Sequence, residues 1–244
     1  MLAYVCDVAS PDVNEVVRAR FADDEGADAA IAETIAIFGR RPFLWWLGED
    51  DRPADLGERL VRHGLVFLDE IPGLAMDLAA LGSAAAAPSP TELRIEPVLD
   101  AVAMDAFNGV VTHGFPEDFV DAATEAQVAA AARRRGEETG YREPVGIPTR
   151  WLGSVDGRPV TTTRLHTGAG VAGIYTVITV NDARRRGYGE AITRHVLHAA
   201  RDAGFRIATL QASSAGLGIY ERIGFEVRYR YRVYESRPAD AASR

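Results

Sequence analysis

Apolar residues along this chain keep two rhythms, and the point where one gives way to the other organises the rest. Residues 171–180, VAGIYTVITV, are apolar at nearly every position, as in a strand covered on both faces and central in its sheet. The alternation assigns Ile174, Ile178 and Val180 to one face, with Tyr175, Val177 and Thr179 bordering the other. Directly afterwards the period changes. Tyr188, Ala191, Ile192, Val196 and Ala199 recur every three or four residues, the stripe of a helix laid on that sheet. FRIATLQA is then a strand, SSAGLGIYERIGF a short helix and EVRYRYRVYE an alternating last strand.

Upstream, LRIEPV reads as a strand and Asp100 caps a helix to about Val111. THGFPEDF leads into another helix with Pro116 in its first turn, alanine-rich and ended by RRRG, with cations near the C-terminal dipole and Gly136 as the stop. RWLGSVDGRPVTTTRLH is a hairpin turning at Asp156-Gly157, and a further turn at 167–170 leads into the central strand. The order is β-α-α-β-β-β-α-β-α-β, an α/β unit on a mixed sheet.

Residues 1–82 form a smaller first unit. Ser10-Pro11-Asp12 opens a helix through VNEVVRARF; a second helix over 27–38 stops at Gly39. PFLWWLG is a strand, and 53–63 a helix with Leu56 and Leu60 inward, Val61 beside them, and Gly64 as stop. LVFLDEI is a strand, Pro72-Gly73 turns the chain, and LAMDLAAL closes the unit. Residues 83–90, SAAAAPSP, read as a linker. The expected division is 1–82, linker 83–90, 91–236 and a tail at 237–244.

The chemistry sits in the turn between the central strand and its helix, VNDARRRGYG. It combines Arg184, Arg185 and Arg186 with Gly187 and Gly189. A helix N-terminus offers backbone N–H groups without intrahelical partners and a partial positive charge, and glycine lets a ligand approach the backbone closely. Together these make an anion cradle suited to a phosphate or pyrophosphate. The spacing fits neither a P-loop nor GxGxxG. The arginines have a second reading as a solvated basic cluster.

Composition narrows the classes. The 244 residues are 47% apolar and 25% charged, as in ordinary globular proteins. Net charge of −8 disfavours a general nucleic-acid binder. No apolar run approaches the ~20 residues of a membrane span, and the first residues lack a basic n-region, so no signal peptide is expected. Cys6 is the single cysteine, so no intrachain disulfide forms and a cytoplasmic setting is the expectation. Five scattered histidines give no metal-ligand spacing.

The turn reads Arg184-x-x-Gly187-x-Gly189, and Tyr220 stands four residues before Gly224-Phe225 in IYERIGFEVRYRYRVY. In this order and separation the two motifs resemble the GCN5-related N-acetyltransferase (GNAT) family over about 150 residues. Asn181 stands where that family often has proline. The resemblance implies the GNAT fold in the second unit and acetyl-CoA as co-substrate, with no metal. It implies that the backbone of Ile178 and Val180 pairs with the pantetheine arm. Arg185, Arg186, Gly187, Tyr188, Gly189 and Glu190 would hold the pyrophosphate. Tyr220 would give a proton to the departing thiolate; a ring packed under the sheet, its hydroxyl satisfied locally, is the other reading.

The implied reaction is acyl transfer to a primary amine of a small molecule, with a CoA-binding regulatory module and a protein N-acetyltransferase as alternatives. A second copy of the chain is an optional partner; nucleic acid and membrane are not expected. No general base is identifiable: Tyr175 and Thr176 lie where such enzymes place one, and His113 in the THGFP loop is an outside candidate. His195 falls on the apolar helix face and reads as a core histidine, His198 as solvated, and Trp45, Trp46 and Trp151 as packing residues. The first unit echoes the strand–turn–helix–Gly–strand order of 174–210. Its turn, GEDDRPAD, carries Glu49, Asp50 and Asp51 where the second has arginines. The chain thus resembles a tandem GNAT protein whose degenerate first domain binds no CoA.

Overall fold

The computed structural model describes residues 1–82, 90–114 and 122–236. Nearly all of the expected linker, Pro116 with its helix start, and the tail lie outside these residues. The chain forms two compact units, Met1–Gly73 with Arg228–Arg244, and Leu74–Val227. The division therefore falls inside two strands. Leu65–Asp77 (β4) is one strand of 13 residues, without the turn expected at Pro72-Gly73, and Glu226–Ser236 (β10) is likewise unbroken.

In the unit Leu74–Val227 the elements follow the expected order: β5 (Arg94–Pro97), α3 (Ala101–Gly114), α4 (Ala122–Thr139), β6 (Arg150–Val155), β7 (Arg158–Gly168), β8 (Val171–Thr179), α5 (Tyr188–Asp202), β9 (Ile207–Gln211) and α6 (Leu217–Ile223). The strands lie in the order β9-β8-β7-β6-β5, antiparallel except for the parallel pair β8–β9. Asp156 and Gly157 both take positive φ (50° and 79°), the hairpin geometry expected of Asp-Gly. On one side of the sheet α5 packs Ile192, Val196, Leu197 and Ala200 against Trp151, Leu165 and Ile174. On the other, α3 packs Met104, Phe107 and Val110 into two smaller clusters.

Two expectations need correction here. His195 is exposed; Leu197 and Ala200 are the buried residues of that helix face instead. The helix α4 also runs through Gly136, where the Tyr141 ring lies against the glycine and leaves no room for a Cβ, and the chain turns only at Gly140, φ 59°.

The first unit comprises β1 (Leu2–Tyr4), β2 (Glu15–Val17), α1 (Asp24–Phe38), β3 (Leu44–Leu47) and α2 (Leu56–Arg62), with residues of β4 and β10. The helix expected after Ser10 is a short 3₁₀ turn, Pro11–Val13, followed by the strand β2. The Asn14 side chain decides this, donating to the carbonyls of Val8 and Ser10 at 2.8 and 2.9 Å and accepting the Cys6 amide at 2.8 Å. Those bonds pin the chain in a loop, and the β-branched residues after it join the sheet. Val61 is exposed, while Leu56 and Leu60 are buried as expected.

A buried arginine ties α1 to α2. Arg59 meets Asp24 at 3.0 Å, Asp55 at 2.9 Å, and Asp28. Asp28 is held below its ordinary 3.8 first by its hydrogen bond to His63 and then by Arg59; Asp55 is held down chiefly by Arg59. A lowered folded pKa stabilises fully above the unfolded value and is lost as pH falls through the folded value. Thermal melts should therefore show an acid loss of stability below about pH 4. Arg59→Met should lower the melting temperature by several degrees at neutral pH, because three carboxylates lose their common partner, and should flatten that acid limb.

Candidate active site

The central strand carries an irregularity that alternation alone cannot show. Thr176 has φ 53°, and the register between β7 and β8 shifts between Thr162 and Arg164, so β8 holds a bulge. One extra residue reverses which side each later residue faces. Ile174 consequently packs in the α5-side core, with Val177 against it, whereas Ile178 and Val180 pack beside Val110 on the α3 side. The single face expected for Ile174, Ile178 and Val180 is split. Three consecutive threonines hold the bulge. Thr161 donates its hydroxyl to the Ile178 carbonyl at 2.9 Å, Thr162 to that of Thr176 at 3.1 Å, and Thr163 to that of Tyr175 at 3.4 Å.

Past Gly173, β8 loses its parallel neighbour: the β8–β9 ladder pairs Val171, Ala172 and Gly173 only. The edge from Ile174 to Thr179 is therefore not paired with β9. The amide of Val180 donates to Val160 on β7 at 3.0 Å, and the Ile178 carbonyl is taken from the same side. Backbone groups alternate in direction along a strand, so Val177 presents both of its groups, and Thr179 its amide, to the open edge; the Thr179 carbonyl is taken by Arg184. This corrects the expectation that Ile178 and Val180 do so.

The strand runs into a 3₁₀ turn, Asn181–Ala183. Arg184 is an anchor: Nε donates to the Thr179 carbonyl at 3.0 Å and Nη2 to the Gly114 carbonyl at 2.6 Å, closing the end of α3. Arg158 braces the turn through two bonds to Asp182, 2.7 and 2.9 Å. Arg185 has φ 62°, is exposed, and has no side-chain partner among the described residues. Arg186 is exposed too, with a weak bond to the Asp182 carbonyl at 3.4 Å. Gly187, at φ 82° and ψ 0°, caps α5 in the left-handed region, where a glycine fits without strain.

The first helical amide with a backbone acceptor is that of Ala191, on the Gly187 carbonyl at 2.9 Å. Amides from Arg185 to Glu190 have no backbone acceptor among the described residues, which leaves a row of donors at a helix N-terminus. Tyr188 is buried and donates its hydroxyl to Glu92 at 2.9 Å. A Cβ on Gly189 would meet Thr179 and Val177 at 3.5 and 3.9 Å, ordinary contacts, so its own fold does not require glycine there. The Glu190 carboxylate pairs with Arg194 at 2.9 Å, which leaves only its amide without a partner.

Tyr220 lies on α6, which ends at Gly224 with φ 117°. Its ring is edge-on to Phe225 at 6.1 Å and packs against the α5-side core. The packing reading is met, yet the hydroxyl has no hydrogen-bond partner among the described residues. Burial pushes the phenol up to about 12.

His113 stands in the last turn of α3, its Nδ1 2.5 Å from the Gly109 carbonyl oxygen. It lines a cleft of about 550 Å³ with Arg158, Val180 and Asp182, away from Tyr175. Trp45 and Trp151 are core residues, and Tyr175 is exposed on the α3 side. The anchoring role of Arg184, the Arg158–Asp182 brace and the threonine row escaped the sequence reading; the run Thr161-Thr162-Thr163 was the available signal for the last.

Residues 160–228 match the family model of the acetyltransferase (GNAT) domain. No curated protein sequence gives a significant match. A GCN5-related N-acetyltransferase from Kribbella flavida superposes with TM-score 0.73 at 21% identity, over 98% of this chain and 88% of its own. A GCN5-related N-acetyltransferase from Sphaerobacter thermophilus gives 0.59 at 17%, over 85% and 63%. A tandem GNAT protein from the clavulanic acid biosynthesis pathway gives 0.58 at 14%, over 85% and 67%. The segment 160–228 belongs to the GNAT acetyltransferase family, and the chain has the fold of tandem GNAT proteins. Among the described residues no helix is long and apolar enough to cross a membrane.

Proposed function

We propose that this protein is an acyl-CoA-dependent N-acetyltransferase acting on the primary amine of a small molecule. The observation that carries the reading is the continuity of a parted strand edge, beginning after Gly173, with a row of unpaired amides around left-handed Gly187. Acetyl-CoA, when bound, supplies an activated acyl group on sulfur. The amides from Arg185 to Glu190 would hold its pyrophosphate, with the side chains of Arg185 and Arg186 adding charge. Tyr188 orients the first turn through Glu92, and Gly189 keeps the surface clear. The open-edge groups of Val177 and the amide of Thr179 would pair with the pantetheine arm. Tyr220, protonated throughout the working pH range and with its hydroxyl unclaimed, would give its proton to the departing sulfur.

The first unit lacks this provision. In its turn the Gly48 amide donates to Asp51 at 2.8 Å, the Asp50 amide to the Tyr229 hydroxyl at 3.1 Å, and the Arg52 amide to the Ala19 carbonyl at 3.0 Å. Donors that would face a phosphate are used internally, beside the acidic Glu49 and Asp50. Calorimetry should therefore give one acetyl-CoA per chain, and a panel of amines should show turnover. Two sites would overturn the account of the first unit. One site with no turnover on any amine would make the protein a CoA-responsive module, and no binding would remove both readings.

A further inference from the structure

Two deeply buried guanidinium groups have opposite surroundings. Arg59 meets three aspartates. Arg150, only 7% exposed, meets no carboxylate within ion-pair distance among the described residues. Its hydrogen bond goes to the neutral Thr149 hydroxyl at 3.1 Å, and its guanidinium carbon lies 5.7 Å from the centre of the Phe107 ring. Directly opposite it in the β6–β7 ladder stands a second cation, Arg164, also without an ion pair among the described residues. Opposite Arg164 in the β7–β8 ladder stands Tyr175, next to the bulge. Ladder partners share a face of the sheet, so the three form a lane on the α3 side leading to the opened edge of β8.

The nearest carboxylate does not neutralise the pair. One oxygen of Glu143 accepts the amide and the hydroxyl of Thr167 at 3.1 and 2.9 Å, and the other lies 3.5 Å from His166. One carboxylate against two guanidinium groups leaves a single positive charge uncompensated. Burial, and then repulsion from Arg164, push Arg150 down to about 10. Tyr141, clustered with Phe107, has a buried hydroxyl with no hydrogen-bond partner among the described residues. Buried charges and hydroxyls are ordinarily paired, and a lane with this much unspent donor capacity fits an anion.

We propose that Arg150 and Arg164 bind the carboxylate of the acceptor, which makes the substrate class amines that carry a carboxylate, such as amino acids. This rests on the N-acetyltransferase reading. A single surplus charge suits a monoanion. Neighbouring strands are about 4.8 Å apart, so the arginine pair lies one to two strands from the bulge, roughly 5–10 Å. That span matches an amine and a carboxylate separated by several carbons, as in an ω-amino acid or the side-chain amine of a longer amino acid. Arg164 opens to solvent and gives the anion its way in.

The test compares amino acids with their carboxamides. The protein should favour the carboxylates in kcat/KM by on the order of 100-fold, as for other desolvated charge pairs. Arg150→Met should erase that preference and Arg164→Gln should reduce it, with acetyl-CoA affinity unchanged in both. Arg150→Met should melt at the same temperature or higher, since an uncompensated buried charge has gone; a purely structural Arg150 would give a lower one. Calorimetry with N-acetyl amino acids, on protein without acetyl-CoA, reads the anion site without turnover. Binding that disappears in the two variants while no amine is acetylated would keep the anion site and sink the enzyme reading. Equal turnover of amino acids and amides, untouched by either variant, would do the reverse. Failure of every carboxylate in the panel to bind also overturns the proposal.

Discussion

Gly187→Val should abolish measurable acetyl-CoA binding. At φ 82° a β-branched residue is a steric outlier, and holding one there costs about 1–3 kcal/mol, so the turn is expected to abandon the conformation that lines up its amides. Two lost hydrogen bonds to a charged phosphate, at about 1.5–3 kcal/mol each, place the fall in affinity above roughly 100-fold. Gly189→Ala isolates the other half of the effect. Its Cβ meets Thr179 and Val177 at 3.5 and 3.9 Å, so the variant should fold normally and still bind more weakly, because the new methyl stands where the ligand must approach. Asp50→Asn, in the first unit's turn, should leave affinity unchanged. Isothermal titration of the three variants decides the matter: tight binding that survives in Gly187→Val would transfer the cofactor to another place.

Tyr220→Phe should lower kcat by about 10²–10³, within the range of a lost general acid, with acetyl-CoA affinity unaltered. The hydroxyl has no partner among the described residues, so its removal breaks no internal hydrogen bond and thermal stability should not fall. The pH profile adds a second readout. With the phenol pushed up to about 12, Tyr220 keeps its proton through pH 10, and no alkaline decline below that pH belongs to it. A Tyr220→Phe enzyme with normal kcat would reduce the residue to a packing element beside Phe225.

How far these sites were legible in the sequence depended on the range of the forces that form them. Hydrophobic periodicity is local, and it gave the order of the elements from β5 to α6, the Asp156-Gly157 hairpin and the turn before α5. What it missed was decided by individual hydrogen bonds and by strand pairing, which leave no periodic trace in the sequence. Asn14 redirects its loop through three bonds made outside any periodic pattern. Pro72-Gly73, a strong local turn signal, lies inside a strand because pairing overrides propensity there. Arg184 is one of three adjacent arginines in the turn, and nothing local sets it apart, yet its guanidinium reaches a carbonyl 70 residues away. The acceptor lane was invisible for the same reason: Arg150 and Arg164 are unremarkable arginines until a ladder sets them side by side.

The bulge at Thr176 has a consequence for comparing this strand with its relatives. It acts as a frameshift in side-chain phase. An ungapped alignment with a strand that lacks the bulge would give Val177 the place of Ile178 and exchange the two cores for every position downstream. Correspondences must therefore be counted backwards from Tyr175 on one side of the bulge and forwards from Val177 on the other.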